Sequence, residues 1–520
     1  MITFYLPSEL LEKILSFIDE TDSHTMHSCI LVNRIWCKTM MSKLWRNPFH
    51  LVALRPSEKL IPVYFKFLSN ETKLILQVPL SSIKSSSLQL RTLPAIFDYP
   101  KFLRELDFNE LYLAIRKWCF SNLNILSSTN QRGRQSIFIL QELCSLLMRN
   151  CDRLDILSLD IKSLRSNNSD GGISDLIALP CLVGASNCLS SLKTFISRGY
   201  YEKQLVFKSM TQYCKNIREI IVEDNDSTDG ESLIDLISVQ NNLEKFVIGD
   251  WWGNLSKIFH SLKTQFETLI YVEIHGCHFY EYVDDFRTFE GLVFCQNLET
   301  LKIEECYNLT SEIMRPLANT IFPNLKTFYF SNYLFQDDEL DPPFTELISL
   351  IENSGSRLNE LCLNMELKVY PNIINICSEW CRNLKHFKAR IQTHSEVTQL
   401  LALLSRSKQL ESLEIIAEKW STTSLCNIQC DTFFPDIGNL IPQTLKYFGI
   451  DGWMCTPRGL ECFLRNCKAK LEKMSWMCFV RSDEYLNVVT KWAENNGRQV
   501  KNWKEKREWG LSFILIVEFC

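Results

Sequence analysis

The chain has 520 residues, 46% of them hydrophobic and 22% charged, with a formal net charge of -5. That balance is typical of folded globular proteins, and a net acidic chain lacks the electrostatic footprint of a nucleic-acid binder. No apolar run reaches the roughly 18 residues that a membrane span needs; Leu511 to Phe519 comes nearest, and it is short and carries Glu518. The opening Met1-Ile2-Thr3-Phe4-Tyr5-Leu6-Pro7 has neither a basic stretch nor a long apolar core, so it does not read as an export signal. The 21 cysteines are an odd number in a long chain and read as reduced thiols rather than a disulfide framework. The length exceeds what one compact core accommodates, but a solenoid escapes that limit because its core grows along one axis.

Residues 1–48 read as a unit of their own. Pro7 stands at a suitable first helical position, and Leu10, Leu11, Ile14, Leu15 and Ile18 fall on one broad helical face. A polar break from Asp19 to Ser23 leads to a second apolar segment around Cys29-Ile30-Leu31-Val32. Asn33-Arg34-Ile35-Trp36-Cys37 follows, and then Leu44-Trp45-Arg46-Asn47-Pro48. Three helices this short bury little area and usually need a partner or a neighbouring domain. The order Leu6-Pro7-Ser8-Glu9-Leu10-Leu11 with Ile14-Leu15, then Cys29, Val32, Arg34 and Trp36, then Leu44-Trp45 resembles the F-box. Asn33 departs from that family, which often has cysteine there. The resemblance implies docking on a Skp-type adaptor and, through it, on a cullin and a RING subunit. It makes Leu6, Pro7, Leu10, Ile14, Leu31 and Trp36 the adaptor contacts or their immediate support. The other reading of the same residues is a helical cap that buries them within the chain.

Residues 49–150 read as a linker with degenerate first repeats. Leu74-Ile75-Leu76-Gln77-Val78 alternates as a strand does, and Leu80 to Leu93 is serine-rich and loop-like. Phe102 to Phe108 imitates a phrase that recurs later, and Leu123-Asn124-Ile125-Leu126 is a weaker copy. Ile137 to Leu147 has helical spacing, whereas Ser127 to Gln135 and Ser163 to Gly172 read as polar loops.

From 151 to 480 that phrase dominates. It is clearest at Leu298, Leu301 and Ile303, spaced L-x-x-L-x-L, with Cys306 after the strand and Thr310 placed to cap a helix. Its leading apolar residue falls at Leu154, Leu192, Ile217, Leu243, Leu269, Leu298, Leu325, Leu358, Leu384, Leu410, Leu445 and Leu471. The commonest step is 26 residues, as from Leu358 to Leu384 to Leu410, and the longer steps read as loop insertions. One strand and one helix cannot close a core alone, so such units must stack. The pattern resembles the cysteine-containing leucine-rich repeats, although only Cys277 and Cys306 keep the cysteine after the strand. Cys151, Cys214, Cys295 and Cys381 lie three residues before a leading leucine or isoleucine, where they act as small apolar residues. The expected fold class is therefore α/β. A three-helix F-box precedes a leucine-rich-repeat solenoid (horseshoe), and residues 481–520 form a C-terminal cap.

Catalytic signatures are missing: there is no P-loop, no G-x-S-x-G and no H-E-x-x-H. Cys377 with Cys381, Cys426 with Cys430, and His275 near Cys277 and His278 lack a second pair at zinc-finger spacing. Neither catalysis nor a metal or cofactor is expected. A surface is then the working part. In L-x-x-L-x-L strands the leucines point inward and the intervening residues line the open face. Those include Glu219, Ile221 and Glu223; Tyr271, Glu273 and His275; Thr300, Lys302 and Glu304; Thr327, Tyr329 and Ser331; His386, Lys388 and Arg390; Tyr447, Gly449 and Asp451. Tyr271, Glu273, Lys302, Tyr329, His386, Lys388 and Arg390 are the candidates for target binding, the last three as a cationic patch for an acidic or phosphorylated segment. Trp251, Trp252, Trp420 and Trp453 stand beyond strands, near the rim, as alternative anchors. Taken together, the resemblance implies the intracellular substrate receptor of a cullin-type ubiquitin ligase, with no nucleic-acid or membrane partner. A scaffold that binds the adaptor without delivering a substrate is the other reading.

Overall fold

The computed structural model describes residues 7–19, 22–49, 60–73, 95–122, 129–160, 178–199, 203–223, 230–279, 287–332, 343–365, 370, 372–391, 393–416, 430–453, 455–478, 482–507 and 513–519. Leu6, the strand expected at Leu74 to Val78, the loop from Leu80 to Leu93, the repeat copy at Leu123 to Leu126, the loop at Ser163 to Gly172, Trp420 and Cys426 lie outside them. The chain divides into two units, Met1–Glu244 and Lys245–Cys520.

The first unit opens with three helices, α1 (Ser8–Ser16), α2 (Ser23–Ile30) and α3 (Arg34–Leu44). Pro7 occupies the N-cap of α1 rather than the first helical position expected from the sequence. Asp22 caps α2 by accepting from the Thr25 amide, and Asn33 caps α3 by accepting from the Ile35 and Trp36 amides. An asparagine side chain satisfies two of the donors that every helix start leaves open. Leu11, Leu15, Met26, Cys29 and Met40 form the core of these helices, with Ile18, Ile30, Trp36 and Leu44 packed against it. Lys43 Nζ closes the end of α1 by donating to the carbonyls of Leu15 (2.8 Å) and Ile18 (2.5 Å).

Four parallel strands follow in this unit: β1 (Glu105–Asp107), β2 (Ile156–Asp160), β3 (Thr194–Arg198) and β4 (Glu219–Glu223). β1 lies in the stretch Phe102 to Phe108, where the repeat phrase was read. The described residues of 49–150 also include two long helices. Helices Phe108–Asn122 and Thr129–Asn150 pack on each other, and the second takes in Thr129 to Gln135, most of the expected polar loop. Buried Ile139, Leu140, Leu143, Cys144 and Leu147 hold that helix in place. Their 3.6-residue spacing carries the helix back through a polar first turn and a half.

The second unit has nine parallel strands in chain order: β5 (Lys245–Gly249), β6 (Tyr271–His275), β7 (Thr300–Cys306), β8 (Thr327–Asn332), β9 (Glu360–Leu363), β10 (His386–Arg390), β11 (Ser412–Ile416), β12 (Tyr447–Asp451) and β13 (Lys473–Cys478). The expected C-terminal cap is a helix, Ser482–Asn495, and an antiparallel hairpin of β14 (Val500–Arg507) and β15 (Phe513–Phe519). β15 pairs with β13, so β14 is the outermost strand. The short apolar run ending at Phe519 is thus a strand, with Leu515, Val517 and Phe519 buried on one side. Among the described residues, no helix is long and apolar enough to cross a membrane.

Both units are built on one rule. All twelve leading residues of the phrase are buried, none more than 1% exposed. Full burial of a leucine contributes ~1.5–3 kcal/mol. A mixed α/β, solenoid-like arrangement follows: within each unit the parallel strands pair in chain order, and most are followed by a helix. The residue before a strand ties it to the next by one carbonyl that accepts two amides. Glu299 O takes Lys326 N (2.8 Å) and Thr327 N (3.0 Å), and Lys326 O takes Asn359 N and Glu360 N. Lys385, Glu411 and Lys446 repeat the arrangement.

Candidate binding surfaces

The amphipathic face expected for α1 splits in two. Leu11 and Leu15 are buried, but Leu10 and Ile14 are half-exposed, and Phe17 at the C-cap is 82% exposed. Residues 10, 14 and 17 lie one turn apart, so they make one stripe along the helix. Leu31 (72% exposed), Val32 and Ile35 form a second exposed apolar group at the turn from α2 into α3. Of the expected adaptor contacts, Leu10, Ile14 and Leu31 are therefore surface residues, and Pro7 is exposed. Trp36 is half-buried, packed against the helical core. Phe17, Val32 and Ile35 are exposed in the same two groups but are not among the contacts expected from the sequence. Phe17 continued the heptad-like spacing of Leu10 and Ile14, a signal that was legible.

On the open strand face of the second unit, Lys302 lies between two aromatic rings. Its Nζ is 4.7 Å from the Tyr329 ring centroid, 5.7 Å from that of Tyr271, and 3.7 Å from Glu273 Oε2. Tyr271 donates its hydroxyl to Glu273, and Tyr329 donates to Glu360 Oε1 at 2.5 Å. Burial, reinforced by those carboxylates, raises both phenols above their ordinary range. Burial likewise raises the Glu304 carboxyl. Tyr271, Glu273, Lys302 and Tyr329, picked from the sequence, thus belong to one network.

His386, Lys388 and Arg390 share β10, and His386 is exposed. Two of the three cations have partners within the sheet. Glu414 on neighbouring β11 meets Lys388 Nζ at 2.8 Å, and Arg390 Nε donates to Asn364 Oδ1 at 3.2 Å. Burial alone would lower the Lys388 ammonium, but the Glu414 hydrogen bond and charge outweigh it and raise it. The carboxylate opposite Lys388 was one strand away, at the paired position Glu414, and not across the face. Two further positions expected on this face are buried. Ser331 is 6% exposed, its Oγ accepting from the Glu305 amide, and Gly449 lies beneath Tyr447. A Cβ on Gly449 would fall 2.7 Å from the Tyr447 hydroxyl, which instead reaches Ser475 Oγ at 2.8 Å.

The rim tryptophans divide similarly. Trp251 and Trp453 are buried, and Trp453 Nε1 donates to Ile391 O at 2.9 Å. Trp252 is half-exposed and heads a stack of three rings from successive repeats. Its centroid is 4.5 Å from that of His278, which is 4.2 Å from that of Tyr307. Neither the family models nor the curated proteins searched include a match for this chain.

Thiols do structural work. Cys151, Cys214, Cys295, Cys381, Cys277 and Cys306 are all buried and free. Burial pushes Cys214 and Cys295 up to about 12. Cys377 and Cys381 are both buried a helical turn apart, and the neighbouring Cys381 together with burial raises the Cys377 thiol well above its ordinary range. Among the described residues, no three His, Cys, Asp or Glu side chains converge to hold a metal ion.

Proposed function

We propose that this chain is an F-box protein with leucine-rich repeats, a non-catalytic, intracellular subunit of a Skp–cullin–F-box ubiquitin ligase. Its N-terminal helices dock the Skp-type adaptor and its repeats hold a target protein. The observation that carries the reading is the exposure of Leu10, Ile14 and Phe17 on α1 and of Leu31, Val32 and Ile35 beside α3. Each is apolar, and each stands outside a helical core already closed by other side chains. The alternative of an N-terminal cap that buries these positions loses support, because a cap would hide them. Exposed apolar groups of this kind fit a partner helix, which gains their burial on docking.

The mechanism is proximity. Anchoring a target on the repeats raises the effective concentration of its lysines near a ubiquitin-loaded enzyme, and no bond is made or broken by this chain. The test is recovery of a purified Skp-type adaptor on the immobilised full chain, native and with Leu10→Asp and Leu31→Asp together. Both side chains are on the surface, so circular dichroism should be unchanged while affinity falls by ~30-fold or more, the mark of central interface residues. Undiminished adaptor recovery would sink the assignment. Cullin-dependent ubiquitylation of a captured partner then separates a substrate receptor from a scaffold that delivers nothing.

A further inference from the structure

β14 ends its sheet. Among the described residues it pairs with β15 and with no other strand, so its outer edge presents free backbone amides and carbonyls. Residues 501–505 are all exposed, and Trp503 leaves 49% of its surface open. The strand reads Val500-Lys501-Asn502-Trp503-Lys504-Glu505-Lys506-Arg507, four cations against one anion in a chain whose net charge is -5. Register assigns its two faces. Trp503 is opposite Val517 and Glu505 opposite Leu515, on the side covered by helix Ser482–Asn495. Asn502 and Lys504 are opposite Glu518 and Ile516, on the open strand face. A register shift between Val500 and Asn502 disrupts the ladder at Lys501 and leaves the stretch after it regular.

We propose that the outer edge of β14 binds an extended segment of a partner protein as an added strand, with acidic and apolar residues alternating in it. Alternation follows from the strand period: partner side chains beside Lys504 share the open face, and those beside Trp503 share the helix side. Carboxylates suit the first position and apolar groups the second. A second copy of this chain is disfavoured at the same edge, since pairing β14 with β14 sets cation against cation. Lysines on an edge strand also guard against aggregation. A guard alone, however, gives no reason to expose half an indole on that edge, where it would favour the very association being prevented. An edge with both features is selective rather than closed. The inference stands whether or not the N-terminal helices dock an adaptor.

The test uses the full chain and a fluorescein-labelled peptide of alternating glutamate and valine, followed by fluorescence anisotropy at physiological salt. Saturable binding is expected. Lys504→Glu should weaken it about tenfold by exchanging an attraction for a repulsion, and Trp503→Ser should weaken it independently. Two further peptides carry N-methyl groups on alternate amides in opposite phase. Only one phase should lose binding, because only one set of amides faces β14. Equal affinity for both N-methylated peptides would reduce the interaction to charge adsorption and overturn the proposal. So would no binding of the parent peptide, or equal binding of a lysine-for-glutamate version.

Discussion

Leu301→Ala is the sharpest test of how the repeats are held together. Leu301 is 0% exposed in β7 and lies in register between Val272 of β6 and Phe328 of β8, both equally buried. Truncation removes the buried branched group from a layer whose lateral neighbours are fixed by backbone pairing on both sides, so collapse of the hole is limited. The expected loss is ~2–5 kcal/mol. Because each repeat touches mainly its neighbours, the loss should be local. Hydrogen exchange reads it directly: amides of β6 to β8 should open ~30-fold to several thousandfold more often, at about tenfold per 1.4 kcal/mol. Lys302→Ala, one residue along, is the control. Its pairing with Glu273 is 3.7 Å long with both side chains partly exposed, so removal should cost no more than ~1 kcal/mol. Native-like protection of β7 in Leu301→Ala, or a greater loss from Lys302→Ala, would refute the inward register of the phrase.

Two further outcomes are expected. Lys388→Glu sets a carboxylate against Glu414 and should lower the melting midpoint, whereas the double exchange with Glu414→Lys should restore it. The coupling energy from thermal melts should be ~0.5–1 kcal/mol, and a value of zero would mean that the 2.8 Å pair is not held in solution. The buried thiols carry a pH signature. Cys214 and Cys295 ionise near 9 when unfolded and are pushed up to about 12 when folded, so the unfolded chain loses protons first as pH rises. Stability from these groups is intact below pH 9 and is lost between about 9 and 12. At neutral pH, iodoacetamide with mass-spectrometric mapping should label exposed Cys181 well before either of them, and comparable labelling would contradict their burial.

The parts of this fold visible in the sequence were those fixed by local period. Every leading residue from Leu154 to Leu471 is buried, because a two-residue alternation inside a recurring frame leaves a leucine only one side to face. Where tertiary partners decide, the sequence misled. Ser127 to Gln135 looks like a loop by composition, yet the apolar spacing beyond it draws residues from Thr129 into a 22-residue helix. Leu10, Leu11, Ile14 and Leu15 look equivalent on a helical wheel, but α3 covers only one edge of that stripe. The pairing of Lys388 with Glu414 was hidden for a register reason. Lys388 and Glu414 are 26 residues apart in sequence and directly opposite in the ladder, so charges on this face have to be compared strand by strand.

That same ladder joins the N-terminal helices to the sheet. Arg46 O accepts from Arg104 N at 2.9 Å and Glu105 N at 3.0 Å, the role that Arg104 O plays for Asp155 and Ile156 one strand later. Arg46 Nε meets Glu105 Oε1 at 2.8 Å, and Asn47 Nδ2 donates to its second oxygen at 3.1 Å. Trp45, directly after α3, packs its ring 4.1 Å from Tyr99 and 5.7 Å from Tyr64. The residues after α3 thus stand where a preceding strand would otherwise tie down β1. A flexible linker there would spread the three helices over many orientations, and effective concentration falls as reach grows. Fixing Arg46 at the head of β1 removes that freedom within the first unit. Under the proximity mechanism proposed above, such a joint would narrow the range of orientations open to an adaptor docked on the three helices.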